Sequence, residues 1–112
     1  MPKFKLIALT RPVAGKEAEY HEWYQTKHLP ELTALSGCLG AQRYELVAKL
    51  QGEMPNEYLA IYDIECDDPM TFLGAVGKAS ASGEMTPTDA SDMAAGYTAL
   101  FIEYGPRVEA KA

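Results

Sequence analysis

Clusters of basic residues, cysteine pairs and long apolar runs are all missing from this chain, and each absence removes a class of function. Sixteen Asp and Glu outnumber ten Lys and Arg, giving a formal net charge of −6, and the cations nowhere gather into a patch. Nucleic acids and anionic membranes both demand concentrated positive charge, so neither is expected as a partner. The only cysteines, Cys38 and Cys66, form no CxxC pair and have no histidine at zinc spacing. Each falls in a strand-like run, where a free thiol packs as a small hydrophobe, and no structural disulfide is expected. No apolar run approaches the ~20 residues that span a bilayer. The start, Met1-Pro2-Lys3-Phe4-Lys5, opens directly into a strand pattern without the apolar core of a leader peptide, so a cytoplasmic protein is expected.

Histidine is equally scarce. His21 and His28 are seven residues apart, unlike the i, i+4 pair of a helical metal site, and no third ligand accompanies them. The chain also lacks a Gly-rich phosphate loop, a dinucleotide fingerprint and a GxSxG serine motif. The expectation is a protein with no metal and no cofactor.

What remains is an ordinary globular composition, 47% hydrophobic and 23% charged over 112 residues, which fits one domain spanning 1–112. Its most distinctive stretch is Tyr20-His21-Glu22-Trp23-Tyr24-Gln25-Thr26-Lys27-His28-Leu29-Pro30-Glu31-Leu32. It gathers the only Trp, both His and two of the seven Tyr. On a helix Tyr20, Tyr24 and His28 form an i, i+4, i+8 ladder flanked by Trp23 and Lys27. Rings with polar tips suit a pocket better than a dry core. Pro30 removes the donor that would reach the Thr26 carbonyl, so the helix should kink or break close to His28.

In chain order, Lys3–Thr10 alternates as a strand, with Phe4, Leu6 and Ala8 opposite Lys5, Ile7 and Leu9. Pro12 and Gly15 mark a turn, and the first helix runs from Gly15 or Lys16 to Leu35, closed by Ser36-Gly37. Cys38–Lys49 is a second strand, with Leu39, Ala41, Arg43, Glu45 and Val47 on one face and Gly40, Gln42, Tyr44, Leu46 and Ala48 on the other. A polar loop leads to a third strand, Glu57–Glu65, in which Tyr58, Ala60, Tyr62 and Ile64 oppose Leu59, Ile61 and Asp63. Asp67-Asp68-Pro69 starts a second helix over Pro69–Ser80. The segment Gly83–Asp92 reads as a loop with a short helical turn near Thr88, and Gly96–Tyr104 is the last strand.

The order β-α-β-β-α-β predicts an α+β, ferredoxin-like fold: a four-stranded antiparallel sheet with both helices on one face. All four strands carry apolar residues on both faces, while two helices can cover only one. A second copy of the chain packed on the open sheet face, a homodimer, is the economical partner.

The spacing Tyr20-x-x-Trp23-Tyr24-x-x-x-His28-x-Pro30 resembles the aromatic-x-x-aromatic-aromatic-x-x-x-His-x-Pro pattern of the EthD-like proteins, members of the dimeric α+β barrel superfamily. The motif covers Tyr20 to Pro30, and the element order extends the resemblance over nearly the whole chain. Glu31 stands where an apolar residue often follows the proline. The resemblance implies a small-ligand cavity between the sheet and the first helix, in a superfamily whose members include stress-responsive barrels, polyketide cyclases and cofactor-independent monooxygenases.

Three functions follow as expectations. The leading one is a cofactor-free lyase, isomerase or cyclase acting on a small aromatic or polyketide-like metabolite. His28 would transfer the proton, Tyr24 or Tyr20 would donate a hydrogen bond, and Trp23 would stack on the ligand. The others are a cofactor-independent monooxygenase of phenols and a non-catalytic binder of small hydrophobic ligands. His28 could instead be a helix-end residue bonded to a carbonyl freed by Pro30. Arg43, Tyr44 and Tyr62 lie mid-strand, where a polar group must face a cavity or find a partner. Arg43 either pairs with Asp63 or anchors a ligand carboxylate.

Overall fold

The computed structural model describes residues 1–111. Four strands, β1 (Lys3–Thr10), β2 (Cys38–Glu45), β3 (Tyr58–Glu65) and β4 (Tyr97–Ile102), form one sheet in the order β2-β3-β1-β4. Every neighbouring pair is antiparallel. Between β1 and β2 the chain is helical as α1 (Glu17–Trp23), a π-helical turn (Tyr24–His28) and α2 (Leu29–Thr33). Between β3 and β4 lies α3 (Pro69–Ser82). The architecture is α+β and ferredoxin-like. No helix among the described residues is long and apolar enough to cross a membrane.

Alternation in β1 decides which residues meet the helices. Phe4, Leu6 and Ala8 are buried, as are Ala60, Tyr62 and Ile64 opposite them on β3. Tyr20, Tyr24, Leu29 and Leu32 from the first helical segment and Phe72 from α3 close this core. The other face carries Ile7, Leu9, Leu59, Ile61, Ala99 and Phe101, interrupted by a Lys5–Asp63 ion pair.

Strict alternation fails at the start of β2. Cys38 pairs with Ile64 but Gly40 pairs with Asp63, so a β-bulge makes Leu39 the extra residue. Leu39 is exposed and does not share the helix face with Ala41 and Arg43. The strand also stops at Glu45, short of Lys49, although Leu46 N–H still donates to the Glu57 carbonyl at 2.7 Å. Beyond it Val47 and Leu50 are exposed. The last strand likewise ends at Ile102, before Gly105 and Pro106.

Pro30 acts on the first helix one turn before itself. The Leu29 N–H reaches back five residues to the Tyr24 carbonyl, opening the helix where an α-helical bond would reach back four. This widened turn relieves the crowding that the proline ring imposes on the preceding carbonyl. The second helix starts as the sequence suggests, with Asp68 accepting from Met70 N–H at 3.0 Å, and runs two residues past Ser80. It ends on Gly83, whose φ of 86° suits glycine. No helical turn forms near Thr88. That segment is instead drawn onto the end of β1 by a Pro12–Ser91 bridge and by Val13 N–H donating to the Ala90 carbonyl at 2.7 Å.

Candidate ligand cavity

A cavity of about 350 Å³ opens between the sheet, the first helical segment, α3 and the loop before β4. Leu6, Ala8, Leu32, Leu73 and Val76 make most of it apolar, and Thr10, Trp23, Tyr24, His28 and Tyr62 supply its chemistry. A larger, more open hollow of about 570 Å³ lies by Gly37 and Phe72. Its lining has acids and Cys66 but no His, Tyr or Trp, so the aromatic cavity is the better candidate.

His28 is held by rings. It lies flat on the Trp23 indole, with centroids 4.6 Å apart and planes 18° from parallel. Tyr24 meets it edge-on at 5.1 Å and Tyr62 at 6.4 Å. Burial pushes the imidazole pKa below its ordinary value, with Glu31 pulling weakly the other way. A neutral imidazole near pH 7 keeps a lone pair for taking a proton. The alternative role, a ring bonded to a freed backbone carbonyl, is not what the described residues form.

Trp23 is fixed at both ends, since its indole N–H donates to the Thr86 carbonyl at 2.7 Å. Thr86 is held in turn by Glu31, whose carboxylate accepts from the Thr86 N–H at 2.8 Å and the Thr86 hydroxyl at 2.5 Å. Glu31 therefore ties α2 to the loop leading to the cavity wall at Ser91, Asp92, Met93 and Gly96.

The remaining candidates separate. Tyr24 lines the cavity, and burial pushes its phenol pKa up, so it stays a hydrogen-bond donor. Tyr62 is fully buried with its ring on the cavity wall, and its hydroxyl lies near the Tyr24 phenol without making a well-formed hydrogen bond. Burial drives its pKa far above the ordinary tyrosine value. Tyr20 is outside the cavity lining, with its hydroxyl 2.5 Å from Thr10 Oγ1 and its ring against Tyr24. Tyr44 projects from the opposite face of the sheet.

Arg43 neither pairs with Asp63 nor lines the cavity. The two residues sit on opposite faces of the sheet, Asp63 with Lys5 and Arg43 beneath the first helix. The guanidinium lies 4.7 Å from the centroid of Tyr24, and its Nη2 is 2.9 Å from His21 Nδ1. An arginine can only donate, so Nδ1 is the acceptor and His21 is neutral there. Burial and then the Arg43 charge hold the His21 pKa down.

The far wall of the cavity, Ser91 to Gly96 with Thr98, was not foreseen from sequence. Its one charged member, Asp92, accepts from Arg11 Nε at 2.9 Å, and that guanidinium holds its carboxyl below the usual aspartate value. Nowhere among the described residues do three His, Cys, Asp or Glu side chains converge in a metal-binding group.

A solved structure shares this fold. It is the crystal structure of an ethyl tert-butyl ether D (EthD) family protein from Bacillus halodurans C-125, with a TM-score of 0.63 and 19% identity, covering 91% of this chain and 99% of that one. No protein-family model and no curated protein matches the sequence. At this identity the EthD likeness is one of fold. It supports the sheet order and helix placement, and leaves the chemistry to be argued from the cavity.

Proposed function

We propose that the protein is an EthD-like, cofactor-free enzyme of the lyase, isomerase or cyclase type, acting on a small aromatic or polyketide-like metabolite. The observation that carries this reading is His28, lowered in pKa by burial and set on a cavity wall between Trp23 and Tyr24. His28 takes a proton from a carbon next to a ligand carbonyl, and the electron pair of the broken C–H bond moves onto the carbonyl oxygen as an enolate. Tyr24, kept protonated, donates a hydrogen bond to that oxygen. The imidazolium then returns its proton to another carbon, which isomerises the ligand, or to a departing hydroxyl, which eliminates water. Trp23 limits the ring's tilt on one side.

Turnover belongs in the same proposal as assembly and location. A homodimer through the apolar outer sheet face fits the exposed Phe101 and Tyr97, and a cytoplasmic setting fits two free cysteines. The test is deuterium exchange into the acidic C–H of a conjugated aromatic ketone, followed by NMR with wild-type protein and His28→Ala. Exchange that stops in a folded His28→Ala protein is expected; undiminished exchange rejects the assignment. Running the same assay without dioxygen separates proton transfer from oxygenation.

A further inference from the structure

Charge inside the cavity is one-sided. No Lys or Arg belongs to its lining, and its single carboxylate, Asp92, is already occupied by Arg11. Arg43, outside the lining, is taken up by the Tyr24 face and by His21 Nδ1. A ligand carboxylate or phosphate entering here would lose its hydration and meet no cation, and an unpaired buried charge is far costlier than an unpaired dipole. The polar groups that do line the cavity are hydroxyls and an imidazole.

Among these the Tyr62 hydroxyl stands apart. Tyr20 and Thr10 satisfy each other at 2.5 Å, whereas the buried Tyr62 hydroxyl has the Tyr24 phenol near it but forms no well-made bond. A buried donor left unpaired destabilises a fold, so in native proteins such a group finds a bound water, a ligand or a catalytic role. Trp23, Tyr24 and His28 place aromatic rings on one side of an otherwise largely aliphatic lining.

We infer that the cavity selects an uncharged ligand bearing a carbonyl-type oxygen, with Tyr62 as the donor that anchors it, and discriminates against carboxylated analogues. This rests on the cavity being the reactive site and names the charge class of its substrate. It replaces Arg43 as the anchor with a neutral phenol.

Benzylideneacetone and cinnamate test the point, being near-isosteric conjugated ring compounds that differ in charge at about pH 8. The NMR signal of the single Trp indole N–H, that of Trp23, reports occupancy beside His28. The ketone is expected to move that signal and to bind at least about tenfold more tightly than cinnamate. Tyr62→Phe should weaken the ketone by about tenfold, leave the apolar parent β-methylstyrene unchanged, and cause no drop in melting temperature, because an unpaired hydroxyl is removed. Cinnamate binding as tightly as the ketone, binding of neither, or a Tyr62→Phe protein that binds the ketone normally or unfolds several degrees lower would each overturn the inference. These arms read affinity and stability alone. Ketone preference without His28-dependent exchange rejects the catalytic reading and leaves the charge class standing, and carboxylate preference does the reverse.

Discussion

The imidazole of His28 and the indole of Trp23 stack face to face at 4.6 Å although they are five positions apart in the chain. In an unbroken α-helix, positions five apart point about 140° from each other around the axis. The π-helical turn over Tyr24–His28 spreads these residues over a wider loop of backbone and brings both rings to one side. Pro30 is the covalent cause, because it cannot supply the donor that would keep the α-helical pattern.

Pro30→Ala restores that donor and should let the α-helical register run through. The expected result is little loss of melting temperature, since an alanine is a good helix residue, together with loss of the Trp23–His28 stack. His28 should then titrate nearer its ordinary value by NMR, and catalytic exchange should fall by about tenfold or more as its reach changes. An unchanged His28 titration in the variant would show that something other than the proline holds the turn open.

The lowered pKa of His28 predicts how activity and stability respond to acid. As a base, the neutral ring should work from alkaline pH down to below ~6.5 and fail as pH drops through its folded value. The unfolded chain binds the proton first, so stability is full above the unfolded value of ~6.5 and declines as pH falls from there toward the folded value. His21, also lowered by burial and then by Arg43, adds a slope of the same sign. Denaturant melts of His28→Gln between pH 8 and 5 (about the range over which imidazole titrates) should show a shallower decline than wild type. An equal or steeper decline would place the proton uptake elsewhere.

Much of this layout was readable from residue order because β1 and β3 alternate without error, and an alternating strand fixes its own faces. The ambiguity lay in which face the helices cover, since both are apolar; that is why Tyr44 and Tyr62 looked equivalent and only Tyr62 reaches the cavity. Arg43 and Asp63 looked like partners because the bulge at Leu39 and the register of β2 on β3 cannot be counted from spacing alone. The wall from Ser91 to Gly96 depends on the bridge to Pro12, a contact between distant parts of the chain that no local pattern announces.

Glu31 supplies a separate prediction, because its two bonds to Thr86 hold the loop that continues into that wall. The Thr86 hydroxyl and then its N–H keep the Glu31 pKa below the ordinary glutamate value. A carboxylate depressed in the folded state contributes stability above its unfolded pKa and loses it as pH falls through the folded one. Glu31→Ala should cost about 0.5–1 kcal/mol at neutral pH after solvent screening is discounted, or a few degrees of melting temperature. The gap from wild type should close as pH falls below the ordinary glutamate value and through the lowered folded one. Faster ligand release should accompany it, and a variant that melts and releases like wild type would remove the latch.

The outer sheet face gives the last prediction. Ile61 sits at its centre on β3, paired to Ile7 on one side and Gln42 on the other, with Phe101 and Tyr97 exposed along β4. An apolar sheet face is covered in stable folds, and a twofold partner offering the same surface buries the amount a standard interface needs, about 800 Å² per copy. Wild-type protein should therefore sediment as a dimer, and Ile61→Glu, which puts two carboxylates near the twofold axis, as a monomer. The cavity lies on the opposite face of the sheet, so the monomeric variant should still shift the Trp23 indole signal with ketone. A wild-type monomer at micromolar concentration would mean that the outer face is left to solvent, and loss of ketone binding in Ile61→Glu would mean that pairing shapes the cavity through the sheet.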